Sequence, residues 1–232
     1  RTISSAASDV YKRQILHQSD NIKILGVTLD KKLKWDCHIN EVTKKCRSLM
    51  GILFKGRHFI DQDTRKLLFN AIVQSRLNYA DVVWDSCSEK LNHQLQKIQN
   101  SGIRYIFGLK KFDHVSEYRQ TLKWVDVKGK RKQHTLQLFH KIKLNRSPLN
   151  LLDKISNSEI NHGHATRSAT RGNLATTYAR TNIGRNGFIK TAIRLWNQLP
   201  SDLRGCTNTT TFRHKLHNYY FDQTECLSTN QR

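Results

Sequence analysis

The sequence has no apolar run near the roughly 20 residues that a bilayer-spanning helix needs, so a transmembrane reading fails. It opens on Arg1, with no secretory leader. The five cysteines, Cys37, Cys46, Cys87, Cys206 and Cys226, are odd in number and none is spaced C-x-x-C. Neither a disulfide framework nor a zinc knuckle fits that arrangement. Reduced thiols of an intracellular protein, nuclear or cytoplasmic, are expected. No Walker-type or G-x-G-x-x-G loop is present. His162 and His164 stand close together with no cysteine nearby, which reads as polar loop and not as a metal site.

Acids are the scarcest resource. There are 18 Asp and Glu against 40 Lys and Arg, a net charge of +22, and the isoelectric point is about 10.1. Such an excess points to a polyanionic partner, nucleic acid first and an anionic membrane surface second. Two windows contain no acid at all. Between Asp126 and Asp153 lie Lys128, Lys130, Arg131, Lys132, Lys141, Lys143 and Arg146. Between Glu159 and Asp202 lie Arg167, Arg171, Arg180, Arg185, Lys190 and Arg194. Ordinary solvated surface interleaves the two signs. Arginines scattered through a Gly/Ser/Thr-rich arm suit phosphate oxygens better than base edges. The candidate nucleic-acid contacts are therefore Lys44, Lys45 and Arg47, the seven cations of the first window, and Arg167, Arg171, Arg180 and Arg185. Basic surface serving solubility alone is the bland alternative.

With 37% hydrophobic residues and a mean hydropathy of −0.65, a modest core with long solvated arms is expected. Ile22 to Leu29 reads as one short strand; Gly26 inside it suggests a bulge or a close backbone approach. Asp30-Lys31-Lys32 reads as a turn. Ile39, Val42, Cys46, Leu49, Ile52 and Leu53 recur three and four apart, which predicts a helix from about Asp36 to Lys55. Asp61 is placed to cap a second helix bearing Leu67, Leu68, Ala71 and Ile72. Ser88 heads a third, with the stripe Leu91, Leu95, Ile98, Gly102, Tyr105 and Ile106. A short helix near Val115–Leu122 precedes a fourth carrying Thr135, Leu138, Phe139 and Ile142, and Pro148 closes that region. From Asn157 to Gly187 no helical period survives. Order returns with Phe188, Ala192, Leu195, Trp196 and Leu199, and a last helix carries Phe212, Leu216, Tyr219 and Tyr220.

Several of these residues fall into longer patterns. Lys23, Leu25-Gly26-Val27 and Leu29-Asp30 are followed by Trp35 and His38-Ile39. Leu95, Gln99, Arg104, Ile106 and Gly108 lie downstream. Phe188, Ala192, Trp196-Asn197, Leu199-Pro200, Leu203 and Arg204 come last. Together they resemble the stretch after the catalytic aspartates in non-LTR (LINE-type, jockey-like) retrotransposon reverse transcriptases. The resemblance spans about Ile22 to Phe221. It implies that this chain is the end of the palm, the thumb and the C-terminal region of a polymerase, without the carboxylates of the active site. Tyr79-Ala80-Asp81-Val82 imitates the Y-A-D-D box, but Val82 replaces the second acid and the order along the chain is wrong. Tyr79 and Trp84 read instead as packing residues.

The fold expected is mainly α: a helical, thumb-like bundle with one short N-terminal β-strand and an irregular basic arm. In order, 1–14 is a non-native or disordered leader and 15–35 the palm end. The helical thumb-like domain is 36–156, the flexible basic arm 157–187, the C-terminal helical segment 188–221, and a disordered tail 222–232. The resemblance implies RNA and DNA as partners: template–primer duplex, element RNA or target DNA. The parent's palm and fingers would lie upstream. It implies magnesium-dependent RNA-templated DNA synthesis in the parent and neither catalysis nor a cofactor in this chain. A stand-alone or domesticated nucleic-acid-binding protein is the rival reading, and a basic peripheral membrane binder a weaker third.

Overall fold

The computed structural model describes residues 19–156, 173–175 and 178–229. The expected leader, together with Arg167, Arg171, His162 and His164, lies outside them. The protein is mainly helical, with one two-stranded antiparallel sheet near its start. The single strand expected over residues 22–29 is in fact a hairpin. β1 (Asn21–Ile24) pairs with β2 (Val27–Asp30) in the register Ile22 to Leu29 and Ile24 to Val27. Leu25 (φ 47°) and Gly26 (φ 81°) form the turn. Two positive φ angles in succession are what a two-residue type I′ hairpin requires. Gly26 therefore supplies a left-handed turn position, and its ladder partner comes from the same segment. The Tyr79 ring closes over it, with Tyr79 Oη donating to the Leu25 carbonyl at 2.7 Å. β1 is exposed along its length, whereas Val27 and Thr28 are buried.

Asp30 ties the hairpin to the first long helix. Its carboxylate accepts the amide N–H groups of Lys32 (2.9 Å), Lys34 (3.1 Å) and Trp35 (2.7 Å). Burial pushes this carboxyl up, but the amides outweigh it and hold the group below its usual range. Trp35 then sits in the left-handed region (φ 69°) immediately before α1 (Asp36–Gly56). Its indole N–H donates to Ser86 Oγ at 2.9 Å. Behind it, His38 Nδ1 accepts the Thr28 amide at 3.3 Å, so the buried imidazole is neutral at that nitrogen.

Helix α1 runs as expected, with Ile39, Cys46 and Leu53 buried; Ile52 is solvent-exposed. The second helix departs from expectation. α2 (Gln62–Leu68) is capped by Asp61, whose Oδ2 accepts the Thr64 amide at 3.0 Å. It then passes through a π-helical turn (Phe69–Gln74) into α3 (Ser75–Asn78). The buried face is Phe69, Val73 and Leu77, while Leu67 is exposed. A π turn holds one more residue than an α turn, so the inward face shifts off the stripe read from α-helical spacing. α4 (Glu89–Phe107) buries its entire expected stripe and ends on Gly108 at φ 69°. A methyl group on Gly102 would lie 2.1 Å from the Phe69 ring, so glycine is what lets α4 and the π turn meet.

α5 (Ser116–Thr121) leads through Trp124 to α6 (Val127–Asn145), capped by Asp126, whose Oδ1 accepts the Gly129 amide at 3.1 Å. α7 (Leu149–Ser156), α8 (Asn182–Arg185), α9 (Phe188–Asn197), α10 (Ser201–Arg204) and α11 (Thr209–Thr229) complete the described chain. α11 continues beyond Asp222, where a disordered tail was expected.

The described residues form two hydrophobic cores. One joins the hairpin and α1 to α4 around Trp84, Phe69 and Ile39. The other joins α6, α7, α9 and α11 around Phe139, Trp196 and Phe212. α6 contributes Val127 to the first core and Leu136, Phe139 and Ile142 to the second. The expected division at residue 156 is therefore displaced, because the C-terminal helices pack on α6 itself.

Two outcomes are expected. Gly102→Ala gains helix propensity but overpacks Phe69, for a net destabilisation of about 1–2 kcal/mol in urea melts; Phe69→Leu should recover part of that loss in the double variant. The His38 pKa is lowered by burial, with Lys23 and Lys45 adding to the effect. The unfolded chain takes up this proton more readily, so stability should fall as pH drops through about 6.5 and below. His38→Asn should flatten that part of the pH–stability curve.

Candidate nucleic-acid interface

The predicted contact residues separate once their surroundings are known. Lys44, Lys45 and Arg47 are exposed on the outer face of α1, opposite Ile39, Cys46 and Met50. Lys141 and Arg146 are exposed at the end of α6, and Arg180 and Arg185 are exposed on the arm. Arg185 Nε donates to the Ala179 carbonyl at 3.1 Å, which folds the arm onto itself around α8. Lys44, Lys45, Arg47, Lys141 and Arg146 have no acid partner among the described residues. Their charge is available to an external anion.

Four cations of the first window are otherwise engaged. Arg131 is 1% exposed and cannot reach a phosphate. Its guanidinium pairs with Asp85 (Nε–Oδ1 3.0 Å), contacts Asn92 Oδ1 and lies over the Trp84 ring at 5.0 Å. Arg131 is a structural strut, a correction to its place among the contacts. Lys128 is held by Glu89. Lys130 is half-buried; burial pushes its ammonium below the usual range, partly opposed by Asp81. Lys143 lies over the Trp196 ring at 5.5 Å. Lys132 is half-exposed on α6.

Asp81, the acid of the false Y-A-D-D box, is buried and bonded to His134 (Oδ2–Nδ1 2.5 Å). Burial pushes its carboxyl up, opposed by His134. Trp84 is fully buried and donates to the Tyr79 carbonyl at 3.2 Å, as a packing residue should. Tyr79 is more than half exposed. Among the described residues no cluster of three or more His, Cys, Asp or Glu could hold a metal ion, and no helix is long and apolar enough to cross a membrane.

The residues of the longer sequence patterns turn out to hold backbone in place. Gln99 Nε2 donates to the Val125 carbonyl at 3.0 Å, and Arg104 to the Asp113 carbonyl at 3.0 Å. Asn197 makes a two-way bond with residue 174 of the arm, donating to its carbonyl (2.8 Å) and accepting its amide (2.9 Å). Arg204 donates to Asn173 Oδ1 at 2.9 Å. Trp196, Leu199 and Leu203 are buried beneath them. The W-N-x-L-P segment is thus a clamp on the arm, a role its motif alone did not disclose. His140, which sequence reasoning left unassigned, stacks on Phe212 (ring centroids 4.0 Å apart) and holds the Cys206 carbonyl through Nε2 at 2.7 Å.

A cleft of about 760 Å³ opens where the loop before α1, residues 82–88 and α8 converge, with Lys32 and Lys34 on its wall. These two lysines lie in the charged turn noticed in the sequence but were not among the predicted contacts. Compared with protein-family profiles, curated proteins and solved structures, the chain matches none.

Arg131→Ala should cost stability, about 3–5 kcal/mol, because it strips a buried charge network of its centre. Lys141→Ala should leave stability within about 0.5 kcal/mol. Chemical denaturation of the two variants side by side separates strut from surface.

Proposed function

We propose that this chain grips nucleic acid, and that it is the palm end, thumb and C-terminal region of a non-LTR retrotransposon reverse transcriptase, downstream of the catalytic carboxylates. The observation that carries the reading is the set of exposed, acid-free cations on α1, the end of α6 and the arm, in a chain of net charge +22. Each phosphate they neutralise releases counterions, which drives association without reading sequence. The role assigned to α1 and the helices after it is to hold a template–primer duplex. The clamped arm would hold element RNA or target DNA. The sequence patterns support the polymerase half of the proposal, since their residues work together as one framework: hairpin to α1, α4 to α6, and α9 to arm. In this reading the chain by itself does not polymerise.

One observation favours the second reading, a stand-alone nucleic-acid-binding protein. The hairpin completes its own ladder and both cores close using only this chain's residues. A reading frame upstream encoding paired aspartates decides for the polymerase.

Binding to duplex and single strands should weaken with salt at a log–log slope of about −0.9 per phosphate contact on duplex DNA. Lys44→Ala/Lys45→Ala/Arg47→Ala should reduce that slope by about two to three. Retention of neither RNA nor DNA at low salt overturns the proposal. Nucleotide incorporation in a primer-extension assay would contradict the upstream placement of the active site.

A further inference from the structure

The 760 Å³ cleft is not explained by a backbone grip. A phosphate-holding surface needs only exposed cations, yet this hollow is walled by Leu33, Val82, Val83, Ile183 and Phe188. Val83 is 54% and Ile183 55% exposed, apolar surface left wet on two different elements. Hydroxyl and amide side chains interrupt it: Ser86, Asn182 and Asn186. Lys32 and Lys34 stand on the same wall, with Asp36 the acid among the lining residues. The volume lies within the usual range for a small-molecule site.

We infer that the cleft receives one unstacked nucleobase of a single strand, its phosphates held by Lys32 and Lys34. An apolar slot matches the faces of a base. The amide and hydroxyl groups match the hydrogen-bonding edges, and the lysines match the charge that every base carries on its backbone. A purely aliphatic ligand would leave Asn182, Asn186 and both lysines without a counterpart. A base within a duplex cannot enter, because it must first leave its stack. The slot also joins a smaller polar hollow through Ser86 and Asn186, in which Lys128 is held by Glu89 while Arg194 has no acid partner among the described residues. Arg194 would take the neighbouring phosphate.

The slot is built by two segments far apart in sequence. One is the stretch from Lys32 to Asp36, fixed by the Asp30 carboxylate. The other is α8 and Gly187, which belong to the arm that Asn197 and Arg204 clamp. The inference rests on the nucleic-acid reading above, and the test separates the two.

The full chain is titrated into a single-stranded RNA carrying one 2-aminopurine, whose emission rises when it leaves the stack. Ile183→Arg and Val83→Arg fill the slot from its two sides. Both positions are exposed, and thermal melts verify the fold of each variant. Each substitution adds a positive charge, which by itself favours RNA, so weaker binding reports a blocked slot. The emission rise should be present in the native chain and lost in both variants, and affinity for the single strand should fall about tenfold, the worth of one base contact. Duplex affinity should not fall. If RNA binds but the rise is absent, or persists in both variants, the slot assignment is overturned while the grip stands. If no RNA binds at low salt, both fall together.

Discussion

A single guanidinium holds the halves of this protein together. Arg131 comes from α6, whose side chains enter both cores, and it is buried against Trp84, Asp85 and Asn92 of the first. A buried cation is tolerated only when its charge and its donors are matched. Here a carboxylate, an amide oxygen and the face of an indole do the matching. His134, about one turn further along α6, repeats the device with Asp81. The two pairs fasten α6 to the loop between α3 and α4, and the C-terminal helices are then built on its remaining faces. The surface cations depend on this arrangement, because α1 and the end of α6 are held relative to one another through it.

The sequence disclosed the helices that bury one face and solvate the other. α1 and α4 carry apolar residues at helical spacing with cations or amides between, and their boundaries fell within a residue or two of expectation. α6 was legible only in part. Packed on two cores, it buries Gly129, Arg131, Gln133 and Thr135 beside its apolar residues, and no stripe survives. The hairpin was read as a single strand because leucine is no turn signal, and Leu25 occupies a position that normally announces itself by asparagine, aspartate or glycine. Charge counting found the windows correctly but could not divide them. Lys141 and Arg131 look alike in a composition profile; burial alone makes one a surface charge and the other a strut.

The residues that carry the resemblance and the residues proposed to carry the function are largely different sets. Gln99, Arg104, Asn197 and Arg204 spend their polar atoms on backbone or side chains of this same chain. Such residues recur wherever a framework must recur, because each bond closes a specific loop. The exposed cations have no geometric obligation of that kind, and a phosphate lattice accepts many placements of a positive charge. A framework pattern is therefore the better guide to what the chain is, and the exposed charge the better guide to what it touches.

The π turn at Phe69–Gln74 sets the phase of everything after it. Were one residue deleted there, the segment would relax to an ordinary α-helix and Leu77 would rotate by about 100° about the axis. The Tyr79–Trp84 loop would be carried round with it, taking Asp81 and Asp85 away from His134 and Arg131. A local slip in helical phase would thus be transmitted as the loss of two ion pairs on a different helix, which gives this segment little tolerance for changes in length even where its side chains face water.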